Sequence, residues 1–370
     1  MALPSIKINY KNGAIGGTEP MDDGVTLTFL TFTPALPSDI DSLTYEDFAN
    51  QLGKDNELIK AFYNEVNGKA RLIVSGKSVA AANAETNIKT MLGRFNGDIR
   101  NVVIPDVPDA AYLRILQNVG DWAADELFAP VVFIVSLAET YAKTNPKVSE
   151  LGLNRVMIVD NVTSEAQGGV PLLWYVAGRA AKSPVQRSLA RVKDGAIFAP
   201  EFWYVDGNYD RLVNNTYAEG KQTKGIVTAR VFQGKAGYYF SDDLMATAAS
   251  DDYGLLPRRR VIDKAYRVAY KTLVEYVGEE IPVLNDGTLP YTVCKDIQST
   301  VKRAIYSQMT VNGNLGVDPQ DDTDQGVECY VDPDQNILAT NKIELSLKVK
   351  PYGYAKYIEC NLGFLVNNNE

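Results

Sequence analysis

The stretch most suggestive of chemistry is Leu72-Ile73-Val74-Ser75-Gly76-Lys77-Ser78, a strand pattern that runs into Gly-Lys-Ser ahead of a helical pattern. A phosphate-cradling loop, G-x-x-x-x-G-K-[ST], needs a first glycine for the turn and free backbone N–H groups before the second. Here that first position is Arg71, inside the strand, so no loop of the right length exists. Val156-Met157-Ile158-Val159-Asp160 is similar to a magnesium-binding strand. These two stretches are the whole case for an α/β nucleotide- or sugar-phosphate-binding hydrolase, the alternative function. Asp318, Asp321, Asp322 and Asp324 offer oxygen ligands, but no register of that run places the glycine and glutamate that a calcium loop requires. Asp242-Asp243 and Asp251-Asp252 suggest an acid and base pair. Adjacent aspartates between aromatic and small residues more readily mark turns and helix caps.

The chain contains no histidine. That removes the side chain that titrates near neutral pH and the commonest metal ligand. Ser-His-Asp, Cys-His and H-E-x-x-H chemistries are excluded with it. Cys294, Cys329 and Cys360 lie far apart without a C-x-x-C, which fits a reducing compartment and offers no thiolate zinc site. Lys and Arg number 37 against 46 Asp and Glu, and the net charge of −9 argues against broad nucleic-acid binding. The longest apolar run, Ala129 to Leu137, is broken by Pro130 and Ser136 and is about half a membrane span in length. Met1 to Lys7 shows no charged region followed by an apolar one, so the expectation is a chain made and assembled in the cytosol. No catalytic residue, cofactor, metal, nucleic acid or membrane insertion is expected.

The elements that position these residues follow from periodicity. At 370 residues and 45% hydrophobic composition, about two domains with ordinary cores are expected. Residues 1–33 have the pattern of an arm: Ser5 to Tyr10 alternates like a strand, then Gly13, Gly16, Gly17 and Pro20 break regular structure. Helices are predicted at 45–66, 79–95 and 108–128, with strands at 70–75, 99–104, 130–137 and 155–159. This αβαβ order predicts an α/β fold, a mixed sheet with flanking helices, over 34–170. A second domain over 171–340 carries a helix at 172–181, strands at 202–205, 225–232 and 238–240, and helices at 259–277 and 293–309. Residues 341–370 form a second, extended β arm. Ile343, Leu345, Leu347 and Val349 share one face, and Ile358, Cys360, Leu362, Phe364 and Val366 share another after a turn at Pro351-Tyr352-Gly353.

Two features point to assembly rather than chemistry. At about 100° per residue, Arg260, Lys264, Arg267 and Lys271 fall in one narrow stripe, opposite Val261, Ala265, Val268, Ala269, Thr272 and Leu273. Four cations in a row without interleaved acids repel, so the stripe calls for an acidic surface facing it. The terminal strands, bearing Ile6, Ile8 and Tyr10 at one end and the alternating 343–364 residues at the other, have open edges. They pair within one subunit or add to a neighbour's sheet, and a heterologous contact of the second kind builds an open polymer.

Over about 170–366 the chain resembles the contractile tail sheath family of phages, R-type bacteriocins and related injection systems. The similarity lies in Val176-Ala177-Gly178-Arg179-Ala180-Ala181, Arg191-Val192-Lys193-Asp194-Gly195, Tyr209-Asp210-Arg211-Leu212 and Thr228-Ala229-Arg230. It is strongest at Asp251-Asp252-Tyr253 followed by Arg258-Arg259-Arg260-Val261-Ile262-Asp263, and it continues through Gly326 to Asp332 and the alternating arm. The resemblance implies a non-enzymatic subunit of six-membered rings stacked helically around an inner tube, with baseplate and tail-terminator proteins at the ends. It implies a sheath-like core whose 1–33 and 341–370 arms link neighbours, and an Arg260, Lys264, Arg267, Lys271 face that meets the tube. Contraction of a metastable lattice would drive the tube through an envelope, in a phage tail or injection particle.

Overall fold

The computed structural model describes residues 22–144, 146–166, 168–206 and 208–363. Ile6, Ile8, Tyr10, Phe364 and Val366 of the expected arms lie outside the described residues. The strands in chain order are β1 (Thr26–Phe29), β2 (Ile40–Ser42), β3 (Leu72–Ser75), β4 (Asn101–Val107), β5 (Val132–Leu137), β6 (Val156–Val159), β7 (Trp203–Asp206), β8 (Asn208–Arg211), β9 (Ala229–Arg230), β10 (Tyr239–Phe240), β11 (Val327–Val331) and β12 (Leu345–Val349). The helices are α1 (Tyr45–Leu52), α2 (Glu57–Val66), α3 (Ala84–Arg94), α4 (Ala110–Asp125), α5 (Glu139–Ala142), α6 (Leu172–Lys182), α7 (Thr216–Gln222), α8 (Leu256–Leu273), α9 (Tyr291–Ile305) and α10 (Ile337–Thr340).

The first six strands form one mixed sheet in the order β2-β3-β1-β4-β5-β6, parallel throughout except for β2 at one edge. Apolar residues run almost unbroken through β3, β5 and β6 because helices cover both faces. Leu72, Val74, Val103, Ile134 and Met157 pack with α2 and α6; Leu27, Ile73, Val102, Phe133 and Ile158 pack with α3 and α4.

Residues 26–29 are the main departure from the arm expected over 1–33. They form β1, wholly buried between β3 and β4. Thr26 and Thr28 make the segment look half-polar, yet both hydroxyls are satisfied inside, by Gly24 O at 2.9 Å and Val103 O at 3.1 Å. The single helix expected over 45–66 is two, because Gly53 closes α1 at φ 72° and the Asn56 side chain caps α2 by accepting from the Leu58 and Ile59 N–H groups.

The expected division at residue 170 falls inside one packed cluster. α6 lies on the main sheet against α2, with Gly178 so close that a Cβ there would sit 2.5 Å from the Phe62 carbonyl oxygen. The buried Glu65 carboxylate of α2 pairs with the buried Arg179 guanidinium of α6. The strand expected over 225–232 shrinks to β9 and a lone parallel bridge from Val227 to Val159. α8, α9 and the β11–β12 hairpin then build a second packed unit around Val261, Val268, Ile305, Met309 and Val327. Pro257 suits the first turn of α8, whose N–H groups have no helical partner. α9 ends in a π-helical turn, Tyr306–Thr310.

Replacing Gly178 by Ala forces α6 off α2 at a backbone carbonyl. Thermal unfolding is expected to show a loss of about 1–3 kcal/mol, the usual scale of overpacking. An unchanged midpoint would mean that the helices separate freely.

Candidate assembly interface

α8 carries the basic stripe, and it is packed on both sides. Val261, Ala265 and Val268 meet Ile305 and Met309, as periodicity predicts. The opposite row is also covered. Arg260 is 5% exposed, and its Nη2 donates to Asp23 O at 3.0 Å and Ser183 O at 3.1 Å. Lys264 Nζ lies 2.6 Å from Asp23 Oδ2, and Arg267 Nη2 lies 2.5 Å from Asp23 Oδ1. The acidic partner that the stripe called for is therefore supplied by the chain itself, just ahead of β1. The stripe expected to lie open toward a tube is, within this chain, turned inward at Arg260, Lys264 and Arg267; of the four, Lys271 is exposed.

The electrostatics of this clamp are asymmetric. Burial pushes Arg260 down to about 10, and burial together with the nearby Arg267 pushes Arg100 down to about 10. Burial alone would raise the Asp23 carboxyl, yet Arg267, Lys264 and Arg260 hold it below the ordinary range. Among the described residues, Arg260 Nη1 has no hydrogen-bond partner. On the next face of α8, Asp263 accepts from Arg259 Nε at 3.0 Å and from Arg155 Nη1 at 3.3 Å. Arg155 also reaches Asp121 Oδ1 on α4 at 2.9 Å, so one guanidinium ties α8 to the main sheet's helical layer.

The C-terminal segment divides in two. β12 pairs antiparallel with β11 of its own chain, from Val327 opposite Val349 to Val331 opposite Leu345. Ile343, Leu345, Leu347 and Val349 are half-buried against their own core. Within this chain the four do not stand free as an arm: Cys329 and Val331 offer them an apolar face, and a hairpin satisfies both. The free segment begins later. Tyr354 Oη donates to Gln186 O at 2.6 Å, and Lys356 Nζ sits 2.5 Å from Asp242 Oδ1 and 3.8 Å from Asp243 Oδ1. Beyond it, Tyr357 is 85%, Ile358 84% and Leu362 95% exposed, Cys360 is exposed, and residues 357–363 have no helix or strand. Beside β12, Leu273, Ile281, Ile297, Ile337, Ile343 and Leu345 line an apolar groove of about 620 Å³.

The residues with catalytic overtones do not assemble. β3 ends at Ser75 and α3 starts at Ala84, so Gly76-Lys77-Ser78 is not at a helix N-terminus. The Asp160 carboxylate is taken by Lys221 Nζ and the Thr228 hydroxyl, each at 2.9 Å. Asp251 caps a turn through the Tyr253 N–H, and Asp318, Asp321 and Asp324 each accept a backbone N–H two residues on. Among the described residues no cluster of metal-type ligands occurs, and no helix is long and apolar enough to cross a membrane. Sequence reasoning missed Asp23, Tyr354 and Lys356. The unbalanced cations of α8 signalled the first; nothing local signals Lys356, whose partner is 114 residues away.

Comparison with known proteins agrees with this architecture. The family model for the DUF2586 N-terminal domain matches residues 3–244, and that for the DUF2586 C-terminal domain matches residues 252–369. No curated protein matches the chain. Among solved structures, it is similar to the contracted helical sheath of the anti-feeding prophage, at 16% identity and a TM-score of 0.64 over 98% of this chain and 99% of that one. The contracted PVC sheath of an extracellular contractile injection system aligns at 13% identity and 0.62, over 99% and 98%. A sheath tail protein from Desulfitobacterium hafniense aligns at 12% and 0.56, over 89% and 93%. The fold is that of contractile tail sheath proteins.

Two substitutions test the electrostatics. Asp23→Asn strands inward-facing cations, and chemical denaturation is expected to show a loss of about 3 kcal/mol, the scale for breaking a buried pair. Equal stability would mean that water already screens the clamp. Asp243 is pushed up to about 6 by burial and by Asp242, against the pull of Lys356. Its folded value exceeds its unfolded one, so the native state binds more protons below pH 6 and stability falls as pH rises through that window. Asp243→Asn is expected to melt higher than the parent at pH 8, with the gap closing as pH falls through about 6 toward 4. A gap independent of pH would assign the effect to packing.

Proposed function

The chain belongs to the DUF2586 family, and we propose that it is the subunit of a contractile tail sheath that polymerises around an inner tube and contracts to drive that tube through a target envelope. The observation that carries this is the C-terminal tail. Residues 357–363 present Tyr357, Ile358 and Leu362 to solvent at 84–95% exposure, on a chain whose fold is that of sheath proteins. A tail with alternating apolar residues is unfavourable in water and well suited to strand addition, in which backbone hydrogen bonds give affinity and alternate side chains give register. The β11–β12 hairpin has only two strands, and the apolar groove beside Leu345 is a seat for such side chains.

Tail-to-hairpin contact between copies is heterologous, so it propagates rather than closes. Each net hydrogen bond contributes about 0.5–1.5 kcal/mol, and burying Ile358 and Leu362 adds about 1.5–3 kcal/mol apiece. A few such strands hold a subunit while weaker globular contacts exchange. Six-membered rings stacked around the tube, capped by baseplate and terminator proteins, complete this proposal. Lys271 is the member of the basic stripe left to face the tube. The role is structural, without catalysis or cofactor.

Electron microscopy of the full chain, alone and co-expressed with its genomic neighbours, is expected to show hollow striated tubes with six-fold end views. Truncation after Lys356 should leave folding stability within about 0.5 kcal/mol and abolish the tubes. Tubes formed by the truncated chain would overturn the arm assignment, and discrete monomers of the full chain under every condition would overturn the sheath.

A further inference from the structure

The C-terminal tail leaves the body at a defined point, and the residues at that point are unlike the rest of the tail. Tyr354 is half-buried, its hydroxyl bound to the Gln186 carbonyl. Two residues on, Lys356 reaches into a pair of adjacent carboxylates whose side chains are 7% and 1% exposed. From Tyr357 onward the described residues are exposed. The boundary between body and tail therefore falls at one lysine.

We infer that Lys356, seated on Asp242 and Asp243, is a latch that fixes where the C-terminal arm leaves the body. The carboxylates are held by contacts other than the lysine. Gln222 Nε2 at the end of α7 donates to Asp242 Oδ2 at 3.0 Å, and the Asp243 N–H donates to Asp242 Oδ1 at 2.8 Å. The Asp243 carbonyl accepts the Leu256 N–H at 2.9 Å, which ties the pair to the start of α8. The Asp243 carboxylate lies beside the Ser188 side chain, and Lys356 is the cation that ion-pairs with it. Withdrawing Lys356 leaves two neighbouring buried carboxylates without that cation, which is far costlier than breaking a surface pair.

The consequence for assembly rests on the sheath reading: the point on the body from which the arm reaches toward a neighbour is set by residue 356. The latch itself is a property of the single chain, so its test does not depend on polymerisation.

Limited chymotrypsin digestion of the full chain, followed by mass spectrometry, reads the departure point from native sites. Cleavage after Tyr357 reports the tail, and cleavage after Tyr354 reports the root. The parent is expected to be cut after Tyr357 first, with Tyr354 protected. Asp242→Asn with Asp243→Asn leaves both cleavage sequences intact and should raise the Tyr354-to-Tyr357 ratio about tenfold, because cleavage follows the opened population. Lys356→Met should do the same, and Lys356→Arg should restore the parent ratio. If Lys356→Met unfolds the body through its stranded carboxylates, the triple variant with both Asn substitutions relieves that cost while still lacking the latch. An unchanged ratio in the double Asn variant, or early cutting after Tyr354 in the parent, would overturn the latch. Tubes that fail to form while the ratios shift as stated would count against the sheath and leave the latch standing.

Discussion

A helix bearing Arg258, Arg259, Arg260, Lys264 and Arg267 can be covered on both faces only if acceptors meet its cations, and they come from Asp23 ahead of β1 and from Asp263 on the helix itself. That constraint organises the molecule. Asp23, just ahead of the first strand, takes Lys264 and Arg267; Asp263 takes Arg259 and, through Arg155, couples to Asp121 on α4. Ions of this kind add little net stability compared with an apolar interface, and their value lies in permitting one arrangement. Here they set the hairpin unit against the main sheet. The same logic recurs with opposite sign near the other end, where a tail lysine meets two body aspartates.

The α/β layer was legible because its strands are nearly continuous apolar runs separated by amphipathic helices; Val132–Leu137 and Val156–Val159 need no partner to be recognised. β1 was not. Its Thr-Leu-Thr-Phe alternates as a half-exposed strand would, and only long-range pairing to Leu72–Ser75 and Asn101–Val103 buries both faces. The α8 stripe shows the other limit. Periodicity placed the four cations on one face, and their mutual repulsion called for an acid, but spacing carries no information on whether that acid belongs to the same chain. β12 illustrates it again: alternation identifies a strand and leaves its partner open, and the partner is β11.

The sheath proposal divides the labour between two kinds of contact. The body is held by dense apolar clusters and buried ion pairs within the chain itself. The tail offers backbone and apolar side chains that its own body leaves uncovered. On that proposal the stability of the fold and the attachment between copies reside in different residues.

The position of β1 has a mechanical meaning. From Asp22 the chain passes through the Asp23 clamp directly into a strand flanked on both sides by parallel neighbours. Tension applied from that end runs along β1 and loads the ladders to β3 and β4 together, in shear. An edge strand pulled across its ladder would unzip one bond at a time; a central strand pulled along its axis yields only when many bonds fail at once. A load entering at Asp22 would thus meet two ladders at once.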